Sequence, residues 1–127
     1  MRRTEQRRAA VFALYQRDVT GRPLAELLDR GATPFTRELV EGVDADAERL
    51  DALIERHARD WTLDRIAPLE RNILRVALHE LLERDDIPDE VAIDEAIESA
   101  KELCAAEAPA FVNGILGSVQ RERTAPA

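Results

Sequence analysis

The chain has 127 residues, of which 45% are hydrophobic and 35% are charged, and its formal net charge is −8. This composition is typical of one globular domain, and it excludes a disordered chain. The acidic balance argues against a protein that coats nucleic acid without sequence preference. The single cysteine, Cys104, cannot form an internal disulfide, so we expect a reducing, cytoplasmic location. No apolar run approaches the roughly 18 residues of a membrane span, so we expect no membrane partner.

Charge is distributed unevenly along the chain. Residues 1–23 contain six arginines and two acidic residues, whereas residues 24–120 contain 10 basic and 23 acidic residues. A basic segment on an acidic body indicates a local anionic target, with charge repulsion elsewhere.

The first predicted element is a helix over residues 3–18, with Arg3, Arg7 and Arg8 on its first turns. Arginines there oppose the helix dipole, so stability does not explain them. One interpretation is a solvated, frayed terminus. The other is a phosphate-binding arm, since guanidinium groups suit phosphate.

A turn at residues 18–23 and a short helix at residues 24–29 are predicted next. Thr33 and Pro34 then supply an N-cap and a first-turn proline for a helical pattern that runs to about residue 58. Gly42 interrupts this pattern, and it marks a kink, a break or a close helix contact.

Trp61 is predicted to be a core anchor between two helical layers. After it, residues 71–82 form a helix that is apolar over most of its circumference, so other helices must cover it on several sides. Glu80 and Arg84 fall inside the apolar arc. Geometry favours an i,i+4 ion pair between them, and the alternative is that this part of the arc meets a partner.

Two further helices complete the pattern. The first begins at Pro88 and continues to Cys104, a break is predicted at residues 105–109, and the last helix covers residues 111–119. The tail after residue 123 is predicted to be loose. The fold should be all-α, with about seven helices.

Catalytic and metal-binding patterns are missing from the sequence. His57 and His79 show no metal-ligand spacing, and Cys104 fits a small core residue. We therefore expect no enzyme activity, no metal and no cofactor. The unusual local feature is Phe111-Val112-Asn113-Gly114. Glycine weakens a helix, and the close approach of another helix or of an RNA backbone would compensate for this cost. An exposed Phe111 could stack on an unpaired base.

Taken together and in order, these segments resemble the NusB family of transcription antitermination factors over nearly the whole chain. The resemblance rests on the following segments: Arg7-Arg8-Ala9 with Ala13-Leu14-Tyr15-Gln16, Leu39-Val40-Glu41-Gly42-Val43, Trp61, residues 70–81, Ile87-Pro88, residues 91–96, Ala100-Lys101 and residues 111–116.

The resemblance implies a single RNA-binding domain made of two small helical subdomains, an N-terminal half of about residues 1–60 and a C-terminal half of about residues 61–127. It implies a non-catalytic protein that binds boxA RNA together with NusE, a small-subunit ribosomal protein. The pair acts in the RNA polymerase antitermination complex and promotes read-through of terminators, notably in ribosomal RNA operons. Some relatives self-associate and bury the RNA surface, so monomer and homodimer both stay open.

Carried over by position, the resemblance implies two sets of site residues. The RNA-binding set is Arg2, Arg3, Arg7, Arg8, Lys101, Phe111, Asn113 and Gly114. The NusE-facing set is Glu80 with His79 and Arg84. Many relatives carry an acid where this chain has Gly117, so no role is carried over to Gly117. Relatives often carry an aromatic residue where this chain has His79, so we expect the NusE contact to differ in detail there.

Two alternatives to this interpretation remain. The chain could be a helical protein–protein adaptor that uses the Glu80 region and does not bind RNA directly. It could also be an RNA-positioning module similar to the NusB-like domain that precedes some ribosomal RNA cytosine methyltransferases. The 127 residues include no cofactor-binding domain, so we expect the chain not to be such an enzyme.

Overall fold

This computed structural model describes residues 1–126, which contain seven α-helices and one short 3-10 helix. The helices are α1 (Arg3–Thr20), α2 (Leu24–Leu27), α3 (Pro34–Ala45), α4 (Ala47–His57), α5 (Pro68–Glu83), α6 (Asp89–Leu103) and α7 (Ala108–Thr124), and the 3-10 helix is Leu63–Arg65. The all-α prediction of about seven helices is confirmed. The predicted tail begins at the end of α7, and its last residue, 127, lies outside the described residues.

The ends of the N-terminal helices follow from glycine and capping residues. Helix α1 continues two residues into the predicted turn and stops at Gly21, whose positive φ of 74° lets its amide donate to the carbonyl of Arg17. Helix α3 begins as predicted: the Thr36 amide donates to the Thr33 hydroxyl at 3.2 Å, and Pro34 occupies the first turn.

Two predicted boundaries were wrong. The run after Pro34 is two helices, and it breaks at Asp46, whereas Gly42 lies inside α3 as a close contact. The predicted break at residues 105–109 is shorter, because α7 already begins at Ala108 and takes Pro109 into its first turn. Proline fits there since the first-turn amides have no partner within the helix.

Helix α5 is the centre of the fold, as its apolar circumference predicted. It packs against α1, α3, α4, α6 and α7. Every residue from 72 to 81 is buried, and the core that surrounds α5 is continuous through both predicted halves of the chain. The division near residue 60 stays a prediction.

The expectation that Trp61 anchors the core was wrong. Its side chain lies in the connection between α4 and the 3-10 helix, and 49% of its surface is exposed. Ile66, which is 3% exposed, supplies the buried apolar side chain of this connection instead.

Candidate nucleic-acid interface

The arginines at the start of the chain are all engaged by carboxylates of the same chain. Arg8 donates to Glu102 at 2.6 Å, which ties α1 to α6. Arg3 lies 4.0 Å from Asp86, and its guanidinium sits 4.2 Å from the centre of the Phe35 ring. Arg2, the most exposed of the set, approaches Glu5 at 3.7 Å. The arm is therefore folded against the protein rather than frayed.

Arg7 differs from the other three because it is buried. Its Nε donates to Glu80 Oε1 at 2.7 Å, and its Nη1 lies 3.7 Å from Glu95. Only 7% of Arg7 and 1% of Glu80 are exposed. Burial raises the pKa of Glu80 above its ordinary value, and the hydrogen bond from Arg7 offsets part of this rise. The acid inside the apolar arc of α5 is thus matched by an arginine of α1.

The expected ion pair between Glu80 and Arg84 was wrong, since Arg84 pairs with Glu38 and Asp86 instead. Of the three residues predicted to face NusE, Arg84 reaches the surface in part, whereas Glu80 and His79 are buried. Their role towards NusE stays a prediction.

His79 packs directly against Gly42. A Cβ atom built on Gly42 would lie 2.2 Å from His79 Cε1, so only glycine fits beside the ring. The Nδ1 atom of His79 has no hydrogen-bond partner among residues 1–126, and burial lowers the pKa of the imidazole. Gly42 is therefore the close helix contact that was one of its three predicted roles.

The other polar residues of α5 are held by carboxylates from α1 and α4. Asp18 accepts hydrogen bonds from Arg71, Asn72 and Arg75, and Arg75 also donates twice to Asp51. Burial alone would raise the pKa of Asp18, but the Asn72 hydrogen bond and the two arginines lower it below its ordinary value. This network fixes the angle between α1 and α5.

The remaining predicted RNA-binding residues lie on α6 and α7. Lys101 is exposed and sits 3.4 Å from Glu98. Asn113 and Gly114 are exposed on α7, and a Cβ atom on Gly114 would meet nothing within 4 Å. Gly114 therefore faces open space and has no close helix neighbour. Phe111 is only partly buried, and it packs against the core.

Four of the eight predicted RNA-binding residues line two separate grooves, whereas Arg3, Arg7, Lys101 and Asn113 line neither. Arg2 and Arg8 line a groove between α1 and α6 whose other wall is acidic, formed by Asp94, Glu95, Glu98 and Glu102. Phe111 and Gly114 line a second groove, between the end of α4 and α7, which we call the α4–α7 groove. Within residues 1–126, no ion pair or cation–π contact joins the arginines of the first groove to Phe111.

Sequence reasoning missed the partner of Phe111. Trp61 meets it edge to face, with ring centroids 6.4 Å apart and planes at 74°. Arg59 and Arg121 line the same groove. In the sequence, Trp61 lies between Arg59 and Arg65 in a stretch without helical apolar spacing, which is a signal for Trp61 and Arg59 but not for Arg121.

Metal-ligand clusters and membrane-spanning helices are both absent from residues 1–126. Within that range, no three His, Cys, Asp or Glu side chains are arranged so that they could hold a metal ion. None of the helices in the described chain combines the length and hydropathy needed to cross a membrane. Cys104 packs at the edge of the core, and burial together with the charge of Glu70 raises its pKa to about 11.

The structure is that of a small all-α protein with a groove of mixed charge between α1 and α6, an aromatic and basic groove between α4 and α7, and a buried central helix whose charged side chains are ion-paired with other helices. The chain belongs to the NusB family, whose family model matches residues 4–121. It is 44% identical over 121 residues to the transcription antitermination protein NusB of Thermobifida fusca, and this match covers 90% of the chain and 85% of the relative. The resemblance to this family is thereby confirmed.

Solved structures agree with this assignment. The NusB structure of T. maritima matches with a TM-score of 0.88 and 36% identity, and the match covers 96% of this chain and 92% of that one. A crystal structure of the antitermination factors NusB and NusE in complex with dsRNA matches with a TM-score of 0.83 and 25% identity, and covers 96% of this chain and 99% of that one.

Proposed function

We propose that this protein is a non-catalytic transcription antitermination factor that binds boxA-type RNA together with NusE. In this role it would help RNA polymerase to read through terminators, notably in ribosomal RNA operons. The observation that carries the proposal is the family match over residues 4–121. The fold shared with a NusB chain crystallised with NusE and dsRNA supports it.

The charge distribution is consistent with a need for a partner. The chain carries −8 overall, and each arginine of the N-terminal arm already has a carboxylate nearby. RNA phosphates would have to displace these carboxylates, so we expect weak binding by the protein alone. A partner protein that neutralises part of the acidic surface would strengthen it. We assign phosphate contacts to Arg2, Arg3 and Arg8, and treat Arg7 as a residue that holds α1 on α5.

The ion pairs between the N-terminal arginines and carboxylates of the same chain favour one second candidate function, a helical protein–protein adaptor that does not contact RNA. In that case the arm arginines would serve only to join α1 to α6. Measurements of RNA affinity separate the two functions.

The test is fluorescence anisotropy of a labelled boxA RNA and a scrambled control, with and without NusE, at two salt concentrations. We expect sequence-selective binding that tightens with NusE and weakens with salt. Arg8→Gln should weaken binding several-fold and reduce the salt slope by about 0.7, the value for one phosphate contact on a single strand.

Arg17→Gln is a matched control for Arg8→Gln. Both arginines lie on α1, both are paired with one carboxylate, and their side chains are 24% and 23% exposed respectively. Arg17 pairs with Asp44, outside the predicted interface. Absence of RNA binding with and without NusE would favour the protein-only adaptor.

A further inference from the structure

Most arginines of this acidic protein are neutralised within the chain. Of its 17 arginines, 12 lie within 4.0 Å of a carboxylate oxygen among residues 1–126. A thirteenth, Arg37, donates to backbone carbonyls. The four that remain in this range are Arg30, Arg59, Arg65 and Arg121, and the last three surround the Trp61–Phe111 pair. The unneutralised positive charge is therefore concentrated at this aromatic pair.

The two sides of the pair differ in charge. On one side Arg65 shares a groove with Glu70 and Glu107. On the other side, the α4–α7 groove holds Arg59 and Arg121 against a single carboxylate, Asp60. Nearby Glu122 is ion-paired with Arg56. The α4–α7 groove is thus the side that would attract an anion.

The backbone at Arg59 is unusual. Arg59 has a φ of 56°, and it is the one non-glycine residue with positive φ in residues 1–126. It follows the last residue of α4 and its C-cap, the position where helices most often use glycine. Stability would favour glycine there, so a benefit from the arginine side chain is a better explanation for its presence.

The position of the Arg121 guanidinium depends on the absence of a side chain at Gly117. A Cβ atom on Gly117 would lie 3.2 Å from Arg121 Nη1, so the guanidinium rests against α7 where that side chain is absent. Gly114, one turn earlier, leaves open space on the same wall of the groove. The groove therefore combines an exposed indole, a phenyl ring, two arginines and an open helix surface.

We propose that the α4–α7 groove binds one unpaired nucleotide of single-stranded RNA, with its base against Trp61 and Phe111 and its phosphates between Arg59 and Arg121. This inference rests on the proposed function and adds three RNA-binding residues, Arg59, Trp61 and Arg121, to the predicted set. Aromatic rings stack on any base, and arginine forks suit phosphate. This combination is the one by which proteins hold splayed-out bases.

The chain offers a direct probe, because Trp61 is its only tryptophan. Titration with unlabelled single-stranded boxA RNA should quench the tryptophan emission along the same curve as the anisotropy of labelled RNA. Trp61→Leu should weaken binding by about 5- to 150-fold, the range expected for loss of one base–aromatic stack. Arg121→Gln should weaken binding and lower the salt slope by about 0.7.

Two arginine variants separate a binding role from a structural one. Arg59→Gly relieves the positive φ, so it should raise the thermal midpoint while it weakens RNA binding. Arg30→Gln removes an arginine without a carboxylate partner that lies away from the Trp61–Phe111 pair, in the turn after α2, and it should bind RNA like the unmodified protein. Far-UV circular dichroism checks that each variant is folded.

The outcomes distinguish this inference from the proposed function. If the protein binds boxA RNA with unchanged tryptophan emission, and the Trp61 and Arg121 variants bind like Arg30→Gln, the groove is not a nucleotide site although the proposed function stands. If no RNA binds with or without NusE, both fail. If Trp61→Leu dissociates a dimer in sedimentation and leaves RNA affinity unchanged, the groove belongs to a second copy of the chain, and the inference is overturned.

Discussion

Replacing Gly42 by alanine should destabilise the protein, although glycine-to-alanine changes usually stabilise a helix. The new Cβ atom would lie 2.2 Å from Cε1 and 2.4 Å from Nε2 of His79. Carbon atoms pack at about 3.5–4.0 Å, so the ring would have to move by more than about 1 Å. His79 is only 7% exposed, and α5 around it is buried on all sides. The ring therefore has little room to move.

The magnitude follows from two opposing effects. Overpacking of a core costs about 1–3 kcal/mol, and the large shift required places Gly42→Ala at the upper end. The gain in helix propensity is about 1 kcal/mol. We expect a net loss of about 2 kcal/mol in the free energy of unfolding, which lowers the thermal midpoint by roughly 5–10 °C in a domain of this size.

A double-mutant cycle provides the assay, with urea unfolding followed by far-UV circular dichroism. In a His79→Ala background the new methyl group enters space that the imidazole has vacated. There, Gly42→Ala should be neutral or stabilising by up to about 1 kcal/mol. The reasoning is refuted if Gly42→Ala costs the same in both backgrounds, or if it stabilises the unmodified protein.

Three further predictions concern ionisable groups that are buried or partly buried. The folded pKa of Asp18 lies below its value of about 3.9 in an unfolded chain, so its contribution to stability is present above about pH 4 and is lost as pH falls through the folded pKa. Asp18→Asn should therefore lower the free energy of unfolding at pH 7 by about 1–3 kcal/mol and flatten the acid side of its pH dependence; equal acid slopes in both proteins would contradict this. Arg7→Gln leaves Glu80 buried without its partner and should cost about 3–5 kcal/mol in urea unfolding, whereas Arg7→Gln with Glu80→Gln should recover much of the loss. An Arg7→Gln protein as stable as the parent would show that the pair is unimportant. Cys104, with a pKa raised to about 11, should react with a thiol reagent at pH 8 far more slowly in the folded protein than in urea; similar rates would contradict the burial of the thiol.

The sequence predicted those parts of the fold that depend on local patterns. Helix α5 was placed correctly because its apolar positions cover most of its circumference. Thr33 and Pro34 marked the start of α3 because the residues of a helix cap lie within four positions of one another. The break at Asp46 carries no such local signal, since the apolar spacing continues from α3 into α4.

Partner choice among buried polar groups was harder to predict. Glu80 has Arg84 one turn away in the same helix, yet it pairs with Arg7, which is 73 residues distant in the sequence. Such pairs are decided by how helices pack and not by spacing within one helix. The prediction for Trp61 was wrong for the same reason. A large aromatic residue usually packs inside, but the exposure of Trp61 is decided by how the helices pack around it and not by local sequence.

The resemblance named Phe111 and Gly114 for the candidate site, but it missed the other residues of their groove. Arg59 and Arg121 are far apart in the sequence and lie in no recognisable motif. Arg121 in particular could be found only once the ion pairs of the other arginines were known. The predicted RNA-binding arm, by contrast, includes Arg7. This residue is buried, and the charge pattern of the sequence gives no sign of its burial.

The links between α1 and α6 also affect how the chain can fold while it is being made. Thr4 bonds to Glu95 and Arg8 to Glu102, across 91 and 94 residues respectively. Synthesis at about 5–20 residues per second separates the emergence of these partners by roughly 5–20 seconds. Until α5, the loop after it and α6 have emerged, Arg7, Arg3 and Arg8 lack the carboxylates of Glu80, Asp86 and Glu102 respectively. The nascent chain is therefore cationic at its leading end, and it becomes the acidic folded protein only when α6 has emerged.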